Sequence, residues 1–185
     1  KIINKDELSF FSKLNDKSDV NIPIWTTTPW TLPANRAVAI NKDVIYKIVD
    51  IKDKYLIIAE NLVNSVMEKS NISNYKTITD CKPDDFDIME LRHPFYEYSV
   101  PVITGDHVTD ENGTGAVHIA PGHGTDDYIS GLKHNLEVFN PVDDYGKFIP
   151  NLPIFGGMKI RESNDEIIKL LEDNESLLFS ENYEH

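Results

Sequence analysis

Cysteine and positive charge are both scarce in this sequence. A single cysteine, Cys81, among 185 residues rules out an intrachain disulfide and a CxxC metal knuckle. That usage suits the reducing cytosol, and Cys81 reads as an ordinary structural or surface thiol. Lys and Arg number 18 against 31 Asp and Glu, which leaves a formal net charge of -13. Phosphate contacts need clustered cations, so the balance argues against a free-standing nucleic-acid binder, and any nucleic acid must be held mainly by something else. No apolar run approaches the roughly 20 residues that a membrane-spanning helix requires, and nothing at the N-terminus resembles a signal peptide. Internal repeats and low-complexity linkers are also missing. The chain opens on Lys1 rather than Met, which fits a piece excised from a longer protein and equally a processed N-terminus.

The length suits one domain with a single sizeable core, spanning residues 1–185. Ten prolines and nine glycines punctuate short runs rich in β-branched and aromatic residues. Strands are expected at Ile22–Thr28, Arg36–Ile40, Val44–Asp50, Lys54–Ala59, Tyr98–Thr104 and Gly115–Ile119. Many short strands with few helices predict a mainly β fold with inserted helices, a closed or nearly closed β-barrel core with an α+β periphery. Leu62, Val63, Val66 and Met67 share one face of an expected helix. Ser163 to Glu166 has capping-box spacing ahead of Ile167, Ile168, Leu170 and Leu171. A third helix is expected from Thr125, capped by its hydroxyl, with Asp126 and Asp127 in the first turn and Tyr128, Ile129 and Leu132 facing inward. Lys5–Asp19 is too polar and irregular to assign.

Two segments carry the chemistry. The first, Trp25-Thr26-Thr27-Thr28-Pro29-Trp30-Thr31-Leu32-Pro33-Ala34-Asn35, sets four hydroxyls and an amide at a strand end and in the Pro-bounded turn after it. Any one threonine is explained by strand preference and Asn35 by the turn. Three consecutive threonines followed by Pro-Trp-Thr are harder to assign to packing, because alternation points them to both faces. The second runs from Asn112 through Gly113-Thr114-Gly115-Ala116-Val117-His118-Ile119-Ala120-Pro121-Gly122-His123-Gly124-Thr125-Asp126-Asp127 to Tyr128. Its glycines permit positive φ or close backbone approach to a ligand. Singly, His118 reads as a hydrogen-bonded core residue and the aspartates as helix-start residues. His118, His123, Asp126 and Asp127 also form a ligand-rich cluster, but their spacing matches neither HExxH nor a Cys/His zinc site, so no metal is expected. No GK[ST] follows Pro121-Gly122-His123-Gly124, so it is not a phosphate loop.

Together WTTTPWTLPAN and GTGAVHIAPGHGTDDY resemble the threonine-rich and Gly-rich motifs of the editing (CP1) domain inserted into the class I synthetases for isoleucine, valine and leucine. The likeness runs from near the N-terminus through Phe155-Gly156-Gly157 to Glu184-His185. His118 and the PGHG after it resemble the isoleucine type; the valine type usually carries Lys at that place, and both relatives tend to read P-A-H-D. HIGH and KMSKS signatures are absent, so amino-acid activation is not expected of this chain.

The resemblance implies hydrolysis of valine wrongly attached to tRNA(Ile), and possible cleavage of valyl-adenylate. One methylene distinguishes the two amino acids by only ~1–3 kcal/mol in a hydrophobic pocket, isoleucine against valine being the standing example, so a second pocket that admits only the smaller side chain is needed. By resemblance Asp127 holds the substrate ammonium through a charge-assisted hydrogen bond. Thr27 and Thr28 face the pocket, with Thr26 beside them as a further hydroxyl for ribose, carbonyl or water. Thr31 excludes isoleucine sterically, and Asn35 orders the loop or touches substrate. Trp25 and His123 join the substrate contacts, and His118 acts either as general base or as a positioning group. The implied partners are the tRNA 3′ end and the rest of a parent synthetase in the cytoplasm, with a monomeric state and no cofactor or membrane. A non-catalytic module gripping the acylated tRNA end, a deacylase acting in trans, a valyl-type editing domain and a metal-dependent hydrolase remain the rival readings.

Overall fold

A computed structural model describes residues 1–14 and 19–181. Residues 15–18, within the unassigned Lys5–Asp19 stretch, and the final Glu184-His185 lie outside the described residues. The chain forms two compact units. Lys1–Trp25 with Ala37–His118 make the first, and Thr26–Arg36 with the chain from Ile119 onward make the second.

The first unit is built on strands. β1 (Asp19–Asn21), β3 (Tyr46–Asp50), β4 (Lys54–Ala59) and β5 (Lys76–Cys81) form a sheet in the order β1-β4-β3-β5. β2 (Ala37–Ile40), β6 (Glu90–Arg92), β7 (Ser99–Thr104) and β8 (Ala116–Ile119) form a second, in the order β6-β7-β2-β8. Ile119, the last residue of β8, already belongs to the second unit. Central strands are apolar nearly throughout: Tyr55 to Ala59 of β4 and all four residues of β2 are buried. Ile48 of β3 lies opposite Ile57 of β4 in an antiparallel register.

The two sheets are tied at both ends. Ile2 donates its amide to the Val20 carbonyl of β1 at 2.8 Å and makes an isolated bridge to Leu91 of β6. The chain entering β8 then returns to the first sheet, where the Ala59 amide donates to the Thr114 carbonyl at 3.0 Å and the Tyr46 hydroxyl donates to the Gly115 carbonyl at 2.5 Å. The strands bury an apolar interior on both faces of β4, with Ile2, Ile40, Ile48, Ile57 and Ile58 among its residues, and the mainly β expectation holds. α1 (Val63–Lys69) buries Val63, Val66 and Met67 of the face expected from their spacing, and Leu62, the fourth residue of that face, is buried in the 3-10 turn just before the helix. Cys81 closes β5 in a buried position, ahead of the single-turn helix α2 (Pro83–Phe86), and desolvation, with Asp85 of α2 adding to it, pushes its thiol pKa far up.

Several expected elements differ. No strand forms at Ile22–Thr28; β1 ends at Asn21, and Pro29–Ala34 winds into a 3-10 turn instead. Pro23 lacks the amide hydrogen a strand ladder needs, and Pro29 opens the 3-10 turn directly after the stretch. β1, β5 and β6 fall outside the expected strands. β5 is an edge strand whose Lys76, Thr77 and Asp80 face solvent, so it lacks the apolar alternation that marks a half-buried strand.

In the second unit, α3 (Thr125–Lys133) starts where expected, but Gly124 occupies the N-cap and no side chain caps it. Tyr128, Ile129 and Leu132 are 45%, 58% and 57% exposed, not inward-facing; the buried residues are Ser130 and Gly131. A methyl on Gly131 would lie 2.9 Å from the Pro121 side chain, so close approach selects small residues for the packed face and turns the bulky ones outward. α4 (Ile160–Asp173) begins one turn before the expected capping box: Ser163 sits inside it and donates its hydroxyl to the Ile160 carbonyl at 2.8 Å. Ile167 and Leu171 are buried as the spacing predicts, whereas Ile168 and Leu170 are only part-buried.

Candidate active site

Both motifs pass from the first unit to the second, the threonine-rich one between Trp25 and Thr26 and the Gly-rich one between His118 and Ile119. Their leading ends meet in the first unit. The Thr114 hydroxyl donates to the Pro23 carbonyl at 2.7 Å. Gly113, at φ +74°, lies under Trp25, where an added methyl would come within 3.2 Å of the Trp25 Cβ. Gly115, at φ +81°, leaves no room for a side chain against Ala59. The positive φ values and the close packing both require glycine here. Trp25 remains 36% exposed, while His118 on β8 is buried.

Trailing ends meet in the second unit. Thr26 and Thr28 form a local hydroxyl turn: the Thr28 amide donates to Thr26 Oγ1 at 3.1 Å, and the two hydroxyl oxygens stand 3.3 Å apart. Thr27 and Thr28 are exposed. Thr31, in the 3-10 turn, is buried and donates its hydroxyl to the Thr28 carbonyl at 2.8 Å. Asn35 ends that turn, buried, with its amide donated to the Leu32 carbonyl at 3.0 Å. α4 packs on the turn, and Asn164 Oδ1 accepts the Trp30 amide at 3.2 Å.

The Gly-rich motif docks against this turn through an edge-on ring contact between His123 and Trp30, with centroids 5.1 Å apart and planes at 82°. Burial holds the His123 pKa below its ordinary 6.5. Its Nε2 is buried and meets no hydrogen-bond partner among the described residues. Neutral imidazole is therefore the form the fold favours. Asp127, in the first turn of α3, accepts the Ala120 amide on Oδ2 at 2.8 Å, which pins the loop Ala120–Gly124 to the helix start. Trp30 and Asn164 were not singled out from sequence. Trp30 lay inside a recognised motif, but Asn164 is 134 positions from its partner, a separation that leaves no local signal.

Beside the loop lies an open groove of about 540 Å³, lined by Gly122, Gly124, Thr125, Tyr128, Val138 and Asn140. Among the described residues, no group of three or more His, Cys, Asp and Glu side chains is placed to hold a metal ion.

Residues 7–172 match the family described as "Leucyl-tRNA synthetase, editing domain". The chain belongs to that family. This editing domain is 45% identical over 179 residues to the isoleucine-tRNA ligase of Edwardsiella ictaluri, covering 96% of this chain and 19% of that protein. It is 41% identical over 194 residues to the isoleucine-tRNA ligase of Photobacterium profundum, covering 97% and 20%. The chain thus spans about a fifth of the length of these curated relatives. Among solved structures, GlLeuRS-CP1 matches with a TM-score of 0.73 at 18% identity, over 96% of this chain and 90% of that one. The cytosolic leucyl-tRNA synthetase editing domain of P. falciparum matches with a TM-score of 0.66 at 13% identity, over 93% and 82%. Those identities carry the fold alone, which is the editing-domain fold expected from the two motifs. Among the described residues, no helix is long and apolar enough to cross a membrane.

Proposed function

We propose that this editing domain hydrolyses the ester of valine wrongly attached to tRNA(Ile), as one domain of a larger cytosolic isoleucyl-tRNA synthetase. The observation that carries the proposal is the joining of the two motifs. Trp30 of one lies against His123 of the other, and Asp127 anchors the loop that carries His123. In the reaction, water adds to the ester carbonyl, the ribose oxygen leaves with a proton, and valine and a free tRNA end result. The double-sieve logic requires that isoleucine be excluded.

In this reading Asp127 binds the α-ammonium of the substrate while it holds Ala120. Thr26, Thr27 and Thr28 offer hydroxyls to ribose, carbonyl and water. With its own hydroxyl engaged by the Thr28 carbonyl, Thr31 has its γ-methyl left to limit the side chain. Asn35 orders the turn, and Trp25 and His123 shape the substrate contacts. His118 positions the ester, and a water oriented by the threonines and the neighbouring ribose hydroxyl does the chemistry by proximity. We further propose that the domain acts as a monomer within its parent enzyme, without a cofactor.

The test is deacylation of valyl-tRNA(Ile) with and without a strong chelator, for the unaltered protein and His118→Gln. Hydrolysis that survives the chelator supports the reading; its loss would favour the metal-dependent alternative. His118→Gln is expected to slow the reaction while keeping the shape of the pH profile, whereas loss of a limb near neutrality would make His118 the general base.

A further inference from the structure

The groove beside the Gly-rich loop has no role in the chemistry above. We propose that it receives the base of the unpaired nucleotide next to the one that carries the amino acid, stacked on Tyr128. This inference rests on the proposed action at an acylated tRNA end and adds a second binding element to it.

The lining sets the class of occupant. It offers an aromatic ring, an aliphatic side chain, a hydroxyl and an amide, and none of the residues lining it is Lys, Arg, Asp or Glu. A phosphate would find no countercharge there. A flat, uncharged ring finds a stacking partner instead, since every base has a π-face that an aromatic side chain can hold. The groove is open to solvent, and its roughly 540 Å³ leaves room for one flat ring. Tyr128 is 45% exposed and Val138 49%, so both present apolar surface to an incoming ring. The Tyr128 amide donates to the Gly124 carbonyl at 2.9 Å, which seats Tyr128 on the first turn of α3. Asn140 Oδ1 accepts the Val142 amide at 2.9 Å, fixing the side-chain amide and leaving Nδ2 as a donor for a base carbonyl.

Gly124 connects the groove to the reacting end. Its φ of -165° is extended backbone open to any residue, and an added methyl would meet the Asp127 carboxyl at an ordinary 3.6 Å. Neither backbone nor packing demands glycine there. What the absent side chain leaves clear is the space between the groove and Asp127, as a strand end must have if its last nucleotide reaches Asp127 while the one before it rests in the groove.

The experiment compares kcat/KM for three valyl esters: of adenosine, of cytidylyl-adenosine, and of the same dinucleotide with the cytosine removed to leave an abasic ribose. The dinucleotide is expected to gain on the order of tenfold over adenosine, the size one stacked base supplies, and the abasic form to lose that gain. Tyr128→Ala should erase the gain and Tyr128→Phe keep it, with thermal melting to establish that both fold. A gain that survives removal of the base, or survives Tyr128→Ala, overturns the proposal. If none of the esters is cleaved, the hydrolytic reading fails separately. Affinities of the non-hydrolysable valylamido dinucleotide and its abasic counterpart then decide the groove: a similar tenfold base dependence, lost in Tyr128→Ala, sustains it, and equal affinities overturn it.

Discussion

One oxygen of the Asp127 carboxylate accepts the Ala120 amide, so truncating this side chain removes a loop anchor together with a charge. Asn in its place keeps an acceptor for Ala120 and loses only the charge. Asp127→Asn should therefore melt within about 4 °C of the unaltered protein, since the helix-dipole contribution at stake is only about 0.3–1 kcal/mol, yet lose hydrolysis of the valyl ester by on the order of a hundredfold, the scale of one charge-assisted contact. Asp127→Ala should lose both. Equal hydrolysis by Asp127→Asn and the unaltered protein would reduce Asp127 to a loop anchor. His123 offers a separate test, on stability. Burial lowers its pKa from 6.5, so the folded state prefers the neutral ring. That contribution is whole above about pH 6.5 and is lost as pH falls from there through the lowered value. Between about pH 7.5 and pH 5 the melting temperature should fall further for the unaltered protein than for His123→Phe, which retains a ring against Trp30; parallel curves would contradict this.

At the scale of elements, α4 supports the 3-10 turn that carries Thr31 and Asn35, and Asn164 Oδ1 is the acceptor for the Trp30 amide. Asn164→Ala leaves that amide without its acceptor, at a cost of about 1–3 kcal/mol. Valyl-ester hydrolysis should fall with it, and Asn164→Asp, which keeps an acceptor oxygen, should restore much of both. A loss of stability with unchanged hydrolysis would show that the turn does not depend on this contact. Elements with strong apolar period were legible in the sequence: β4 runs from Lys54 to Ala59 as expected, and α1 buries the expected Val63, Val66 and Met67. Elements whose faces are set by neighbours were not. α3 packs through Ser130 and Gly131 because of close contact with Pro121, and no periodicity of apolar residues reveals such a face. Likewise, the threonine run looked like a strand because threonine favours strands, whereas Thr26 Oγ1 accepts the Thr28 amide and bends the chain locally. The site motifs were readable because their glycines and hydroxyls are consecutive in sequence. The partners that hold them, Pro23 for Thr114 and Asn164 for Trp30, are distant in the chain.

The whole molecule carries a net charge of -13, and this shapes how it meets tRNA. Few cations are available to displace counterions, so isolated residues 1–185 should bind whole tRNA no more tightly than the ~10⁻⁴–10⁻⁶ M of non-specific association at physiological salt. Filter binding or fluorescence anisotropy would check this, and tight binding would contradict the view that another part of the parent enzyme supplies the grip. The division of labour proposed here thus leaves the domain to read the acylated end, through the threonine turn, Asp127 and the groove beside Tyr128. The most direct measurement is the rate at which this chain deacylates valyl-tRNA(Ile) against isoleucyl-tRNA(Ile). Cleavage of the valyl ester with the isoleucyl ester spared is the predicted result; equal cleavage of both esters, or of neither even as small adenosine esters, would contradict the account.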